Sequence, residues 1–289
     1  MVKRNHRSAY LLILPYLLFL GVFLIYPILF SVWLTFHDWN IVSTDIPFVG
    51  LENYKRLMED ELFFTSLWNT VRFILINIPL QIVLALLLAV ALNQPIKGRG
   101  FFRGAYFLPV VTSGVVISFL WAWMLSTDGG IINEVLGRIG IPPVPWLTSE
   151  TWAIPSLAWV AAWKNLGYYV VIFLAGLQGI PKNLYEAARM DGASPVQNFF
   201  RITLPMLNPA MLLVVILSTI NGFQLFTEPF IMTGGGPANS SLSVVMYIYK
   251  NAFQSLDMGY AATIGLVLAL IILTVSLLQK RFLERDTYY

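Results

Sequence analysis

The chain has 289 residues, of which 57% are apolar and only 11% are charged, and its mean hydropathy is +0.72. Soluble domains carry about 25% charged residues, so this composition excludes a water-soluble globule and an intrinsically disordered chain. The net charge of +3 is small, and the chain has no cysteine and only two histidines. Disulfides and thiolate chemistry are therefore excluded, and a metal site is not expected. The composition predicts a helical protein that crosses a membrane several times.

Six apolar runs are each long enough to cross a bilayer as a helix, which takes about 20 residues. In chain order they are residues 9–36, 73–96, 104–127, 151–181, 202–227 and 258–279. We therefore predict an all-α fold with six transmembrane helices. The first run is nearly twice as long as the apolar part of a secretory signal peptide and ends in aromatic residues, so we expect a retained helix.

The Lys and Arg residues are concentrated in every second loop between the predicted helices. Twelve of the 18 Lys and Arg residues lie in the two termini and in the loops after the second and fourth helices, whereas only four lie in the other loops. Because Lys and Arg favour the cytoplasmic side, we predict that both termini, the 93–103 loop and the 180–204 loop are cytoplasmic. Eleven of the fifteen acidic residues, including Glu228, lie on the opposite side, and the predicted helices contain none in their cores.

Polar side chains within the predicted helices are candidates for lining a translocation path. Asn77 and Gln81 lie four residues apart on one face of the second helix, and Asn221 and Gln224 lie three apart in the fifth. Amides bind hydroxyl-rich solutes, but they also hold helices together by interhelical hydrogen bonds. Lys164 lies deep in the fourth helix, where its charge should face protein or water. It either lines the path, or reaches outward or caps a carbonyl group.

The cytoplasmic loop between the fourth and fifth helices is predicted to form two short helices joined by a tight turn. Asn183 and Glu186 have the spacing of a capping box at the start of the first helix, and Ser194 and Gln197 have it at the second. Gly192 ends the first helix, because glycine tolerates a left-handed backbone. A loop with such specific capping indicates a docking element for a partner.

This loop resembles the EAA signature of permease subunits from binding-protein-dependent ABC importers. Glu186, Ala187, Ala188 and Gly192, followed by the Ile-x-Leu-Pro of residues 202–205, fill every fixed position of the pattern EAA-x3-G-x9-I-x-LP. Further stretches are similar to the carbohydrate branch of type I importers, of the maltose or glycerol-phosphate kind, and to the first of their two paired permeases. These stretches are residues 48–54, 69–70, 174–181, 191–193 and 232–237.

The resemblance implies the other parts of a transport machine. The partners would be a second homologous permease, two ATP-binding subunits, an extracytoplasmic solute-binding protein and a sugar substrate, in a bacterial or archaeal cytoplasmic membrane. The chain has no G-x4-G-K-[ST] motif, so ATP and magnesium would be bound by the partner ATPases and this chain would hold no cofactor. The ATPase-coupling residues implied by the motif are Glu186, Ala187, Ala188, Asp191 and Gly192.

The same resemblance suggests a division of the chain into three parts. These are an N-terminal helix with an external loop at 1–67, a five-helix transmembrane core with the EAA loop 180–205 at 68–281, and a cytoplasmic tail at 282–289. The glycine-rich residues 233–237 are predicted to form a bend after a helix, since no Gly-Lys-Ser/Thr follows as in a nucleotide-binding loop.

Several functions remain open besides a sugar permease. The solute could be a polyol or glycerol phosphate, because the EAA motif does not report the substrate. An ion-coupled secondary transporter is a second class, which the absence of carboxylates from the predicted helices argues against. An intramembrane enzyme would need a catalytic pair within the helices, and the sequence offers none.

Overall fold

The computed structural model describes residues 6–94 and 97–284, which are helical with no β-strand. Their α-helices, in chain order, are α1 (His6–Leu20), α2 (Tyr26–Leu34), α3 (Glu52–Glu59), α4 (Glu61–Asn93), α5 (Arg99–Val111), α6 (Gly114–Met124), α7 (Ile131–Arg138), α8 (Ala153–Gln178), α9 (Lys182–Met190), α10 (Pro195–Asn198), α11 (Leu204–Met206), α12 (Asn208–Phe223), α13 (Val244–Tyr249) and α14 (Met258–Leu283). Short π-helical segments occupy Gly21–Ile25, Phe199–Thr203, Pro229–Thr233 and Lys250–Gln254. The predicted all-α fold is confirmed.

Four helical stretches of the described chain are long and apolar enough to cross a membrane: Leu12–Leu34, α4, α8 and α14. Two bent pairs pass the same test together, namely Gly100–Val111 with Gly114–Met124 and Pro195–Met206 with Asn208–Phe223. By length and composition, the described residues therefore contain four helices that could span a membrane, or six if each bent pair is counted as one. Lys3, Arg4 and Arg285, on which the predicted cytoplasmic side partly depends, lie outside the described residues.

The third apolar run, 104–127, is not the single helix that the sequence predicts. Thr112 and Ser113 have extended backbone, with ψ of 143° and 127°, and α5 and α6 meet there at 98°. Pro109 inside α5 lacks the N–H that would continue the ladder of hydrogen bonds, which weakens the helix just before this break. The length of an apolar run predicts how far a helix can extend, but it does not predict whether the chain bends within the run.

The fifth run, 202–227, also differs from its prediction. The chain bends by 65° between the helices on either side of Leu207, whose ψ is 2°. Prolines 205 and 209 flank this residue, and neither can donate a backbone hydrogen bond. Helix α12 ends at Phe223, so Gln224 is its C-cap residue rather than part of the helix.

The second predicted helix begins earlier than its apolar run. Helix α4 starts at Glu61 and spans 33 residues, twelve residues before the run at 73–96 begins. The proposed domain boundary after residue 67 therefore lies inside α4. Asp60, directly before α4, has an extended backbone that separates this helix from the short amphipathic helix α3.

One compact unit comprises the chain up to Glu61 together with Ile248–Ala269. Its polar contacts join α3 to the start of α14: the Arg56 guanidinium lies 2.6 Å from an oxygen of Asp257 and 3.9 Å above the ring of Tyr260. The Tyr260 hydroxyl, which is fully buried, donates to Asp60. These contacts connect parts of the sequence about 200 residues apart.

The second unit comprises Leu62–Tyr247 and Leu270–Tyr289. Its hydrophobic core lies between α4, α8 and α12, and includes Ala85, Phe173 and Val214, all fully buried. Helices α5 and α8 pack closely because α8 has a glycine at position 167: a Cβ there would lie 2.4 Å from the carbonyl oxygen of Tyr106. This packing positions the polar side chains of α8 described below.

The glycine-rich residues 233–237 form a bend in this second unit, as predicted. Gly234 and Gly235 have φ of +62° and +87°, which side chains rarely adopt. The hydroxyl groups of Thr233 and Ser241 lie 2.8 Å apart across the bend, and Asn69 of α4 donates to the carbonyl oxygen of Asn239 at 2.8 Å. The bend is therefore held by side-chain hydrogen bonds.

Candidate functional site

A polar cavity of about 260 Å³ lies between α4, α8, α12 and the residues that follow α12. All five polar residues predicted to line a path line this one cavity: Asn77, Gln81, Lys164, Asn221 and Gln224. The spacing of four residues in α4, and of three at the end of α12, explains why each pair faces the same space. Their contact with a solute stays a prediction.

The cavity contains an ion pair. The ammonium group of Lys164, in the middle of α8, lies 3.1 Å from an Oε1 of Glu228, and the two side chains are 19% and 8% exposed. Lys164 therefore turns toward protein and does not reach outward. Such a partner stabilises a charged group that is removed from water. Removing one partner of a buried ion pair therefore destabilises the protein by several kcal/mol.

The position of Glu228 differs from the sequence analysis, which assigned it to an external segment. After α12 ends, residues 225–228 continue along the wall of the cavity, and Glu228 directly precedes the π-helical segment Pro229–Thr233. This pairing could not be predicted from local spacing, because the two residues are 64 positions apart. The cores of the predicted helices contain no acidic residue, but a carboxylate reaches the cavity from the segment that follows α12.

The lysine also passes close to the start of α6. A Cβ at Gly114, the first residue of α6, would lie 2.7 Å from the Lys164 Nζ. A side chain at position 114 would therefore require the flexible end of Lys164 to shift from its present position. Lys164 is thus held between Gly114 and Glu228.

The amides of the cavity use part of their hydrogen-bonding capacity within the protein. Asn77 donates to a backbone carbonyl of α8 at 2.8 Å, and Asn221 donates to the Tyr169 hydroxyl at 3.2 Å. The Oε1 of Gln81 accepts from the Ser218 hydroxyl at 3.2 Å, whereas the buried Nε2 of Gln81 has no partner. These amides therefore form hydrogen bonds between helices, as one of the two interpretations predicts. The Nε2 group of Gln81 remains available as a hydrogen-bond donor.

The cavity wall includes residues that the sequence analysis did not select. Asn165, Tyr169 and Ser218 contribute further polar groups, and Phe73 and Phe226 contribute aromatic rings. Asn165 and Tyr169 lie four apart on the helical face next to Lys164, so helical spacing could have identified them. The cavity as a whole offers amide, hydroxyl and aromatic surface to a solute.

The second candidate element is the loop that carries the EAA-like motif, and it folds as two helices with a tight turn. Helix α9 ends at Met190, and Gly192 follows with φ of +78°. The Gly192 N–H donates to the Arg189 carbonyl at 3.1 Å, and the Ala193 N–H donates to the Ala188 carbonyl at 2.9 Å. These two bonds form a Schellman motif, which requires a left-handed residue at the position of Gly192.

Of the two predicted capping boxes, one is confirmed and one is wrong. Ser194 accepts from the Gln197 N–H at 3.3 Å, and the Gln197 side chain accepts from the Ser194 N–H at 2.8 Å. Helix α9 instead begins at Lys182, directly after Pro181, and it has no side-chain cap. Asn183 and Glu186 therefore lie inside α9, and the capping role of Glu186 is removed.

The surface of this loop is accessible and partly apolar. Glu186, Ala187, Asp191 and Gly192 are exposed, and Ala188 is half-buried. Large apolar side chains are exposed beside them, namely Met190, Val196 and Phe200. On the inner side, the hydroxyls of Tyr185 and Thr203 lie 2.9 Å apart and hold α9 against the following π-helical segment.

A polar cavity among apolar helices, together with a capped and exposed loop, is an arrangement that fits a membrane permease. Residues 65–286 match the family described as "Binding-protein-dependent transport system inner membrane component". The chain belongs to this family, and it is a multi-pass inner membrane protein.

Two relatives match almost the whole chain. The chain is 38% identical over 273 residues to the arabinooligosaccharides transport system permease protein AraP of Halalkalibacterium halodurans, covering 93% of this chain and 85% of the relative. It is 33% identical over 277 residues to the sulfoquinovosyl glycerol transport system permease protein SmoG of Agrobacterium fabrum, covering 96% and 90%.

A solved structure shows the same fold. A chain of a bacterial ABC transporter involved in the import of the acidic polysaccharide alginate superposes with a TM-score of 0.84 at 24% identity, covering 99% of this chain and 98% of the other. The fold of this chain is therefore that of a type I ABC importer permease.

Proposed function

We propose that the chain is the permease subunit of an ATP-driven importer and forms half of the translocation path for a sugar or oligosaccharide that an extracytoplasmic binding protein delivers. The observation that carries this proposal is the single cavity in which Asn77, Gln81, Asn221 and Gln224 meet. Relatives named for arabino-oligosaccharides and sulfoquinovosyl glycerol support a glycosidic solute over a simple polyol or glycerol phosphate.

The cavity chemistry suits a solute that is rich in hydroxyl groups. The buried Gln81 Nε2 has no partner within the chain, and an unsatisfied buried donor costs about 1–3 kcal/mol. A solute hydroxyl would satisfy it. The rings of Phe73 and Phe226 supply apolar surface for the C–H faces of a sugar ring.

Substitution of the cavity amides tests the proposed solute contacts. We expect Asn221→Leu and Gln224→Leu each to lower sugar uptake by about tenfold, the equivalent of one lost hydrogen bond of about 1.4 kcal/mol. Uptake is measured in cells that express the complete importer, with assembly and basal ATPase activity expected to stay near normal. Gln254→Leu, at the exposed end of the π-helical segment Lys250–Gln254, is the matched control. Unchanged uptake in the Asn221 and Gln224 double variant would show that these amides only join helices.

ATP hydrolysis belongs, in this proposal, to two partner subunits that also hold the ATP and magnesium. The loop around α9 and α10 is the proposed docking element, with Glu186, Ala187, Ala188, Asp191 and Gly192 as the coupling residues. Its support is the exposed apolar surface next to a turn that two Schellman bonds and a capping box define. A second homologous permease would line the other half of the path.

We further propose six membrane crossings, with each bent pair forming one, and both termini in the cytoplasm of a bacterium or archaeon. Support comes from the distribution of Lys and Arg among the loops. Because the chain has no cysteine, single substitutions of Ser8, Asn93 and Asn239 by cysteine show directly on which side of the membrane each position lies. We expect a membrane-impermeant maleimide to label only the Asn239→Cys variant in intact cells, and all three after permeabilisation. Labelling at position 93 in intact cells would overturn this topology.

A further inference from the structure

The charged groups of the cavity cancel one another. Among the described residues that line it, Lys164 and Glu228 are the only charged side chains, and their opposite charges lie 3.1 Å apart. The other polar groups of the wall are neutral amides and hydroxyls. The cavity therefore presents hydrogen-bonding groups but no net charge to a solute.

We propose that the Lys164–Glu228 pair makes this cavity select uncharged sugars and exclude those that carry a carboxylate, phosphate or sulfonate group. This inference rests on the proposed function and names the class of solute that the same site accepts. Family membership does not decide the question, since the relatives are named for a neutral and for an anionic glycosidic solute.

The physical reason is that the only cation of the described wall is already neutralised. An anionic solute would lose its hydration on entering the cavity and would meet an ammonium group whose charge is balanced by Glu228. It would also be repelled by the Glu228 carboxylate itself, and this repulsion is stronger where water is excluded. A neutral sugar has no such cost and exchanges hydrogen bonds with water for hydrogen bonds with amides.

The pair cannot easily rearrange to accept an anion. The Lys164 and Glu228 side chains are only 19% and 8% exposed, so both charges lie largely out of water. If Lys164 turned toward an anionic solute, Glu228 would remain buried without a partner, which is strongly unfavourable. The preference for neutral sugars thus follows from the packing of α6 and α8 against the residues after α12.

A set of charge variants tests this proposal. Glu228→Gln leaves a cavity with one net positive charge, Lys164→Gln leaves one net negative charge, and the double variant is neutral again. Gln224→Lys adds a positive charge while the ion pair stays intact, and so reports on charge even if Glu228→Gln assembles poorly. Each variant is assembled with its partner subunits in lipid nanodiscs without the binding protein.

The probe is a pectin hydrolysate that contains neutral arabino-oligosaccharides and acidic galacturonides. After equilibrium dialysis, mass spectrometry gives the ratio of acidic to neutral sugars retained by each complex. We expect the wild type to retain mainly neutral sugars, Glu228→Gln and Gln224→Lys to raise the acidic-to-neutral ratio at least tenfold, Lys164→Gln to lower it, and the double variant to restore the wild-type ratio.

The outcomes separate this inference from the function on which it rests. An unchanged ratio in all four variants, or an equal loss of both sugars in each, would overturn charge selection and leave the pair as a link between helices. Retention of neither sugar by the wild type would instead contradict the carbohydrate function, and the inference would fall with it.

Discussion

Substitution of Gly192 by proline is expected to abolish uptake and to release the ATPase subunits while the transmembrane helices still insert. The φ of Gly192 is +78°, whereas proline fixes φ near −65°, and the Gly192 N–H that bonds to Arg189 would be lost. The turn between α9 and α10 would open, with a local cost of about 3 kcal/mol or more. The measurements are sugar uptake and co-purification of a tagged ATPase with the membrane-extracted permease.

Gly140→Pro is the matched control for this prediction. Gly140 has φ of +82° after α7, and its N–H also bonds to a backbone carbonyl, at 3.1 Å. It differs from Gly192 in lying in a loop predicted to be on the other side of the membrane. We expect the control to bind ATPase at wild-type levels. ATPase binding and uptake at wild-type levels in Gly192→Pro would remove the coupling role of the α9–α10 turn.

Gly167→Ala is expected to destabilise the packing of α5 against α8 strongly for a single added methyl group. The new Cβ would lie 2.4 Å from the Tyr106 carbonyl oxygen and 3.1 Å from the Phe107 Cα, and backbone atoms cannot move aside as a side chain can. Overpacking of this kind lowers the free energy of unfolding by about 1–3 kcal/mol. Because the added methyl group would push α5 away from α8, we expect a loss at the upper end of this range or above it. Thermal unfolding in detergent, followed by the intrinsic tryptophan signal, gives the shift in midpoint.

Gly104→Ala is the control on the facing helix. A Cβ at Gly104, in α5, would have no atom within 4 Å, and alanine has the higher helix propensity. This control should therefore keep or slightly raise the unfolding midpoint. Equal midpoints for Gly167→Ala and Gly104→Ala would show that the close approach of α5 and α8 does not determine stability.

The part of the site that the sequence predicted is the part with helical spacing. Asn77 and Gln81 were assigned to one face of a helix because they lie four residues apart, and both line the cavity. Ser194 and Gln197 likewise form the predicted capping box, since its geometry depends on only four consecutive residues. Local spacing and local hydrogen bonding are visible in a single sequence.

What the sequence did not show depends on bends and on distant contacts. Glu228 was assigned to an external segment because an acidic residue ended the apolar run, and only the path of the chain after α12 brings it to Lys164. The bend at Thr112 and Ser113 leaves the hydropathy of its run unchanged. Helix α9 begins at Lys182, before the predicted cap Asn183, so the hydrogen bonds that the spacing of Asn183 and Glu186 predicts do not form.

The contact between Gly114 and Lys164 has a consequence for evolution. Because the lysine ammonium occupies the space that a side chain at position 114 would need, the two positions are not free to change independently. A homologue with a short side chain at position 164 can acquire alanine or serine at 114 without this contact, whereas one that keeps the lysine must shift the end of the lysine side chain to make room. An alignment of the family should therefore show glycine at position 114 more often where position 164 is lysine.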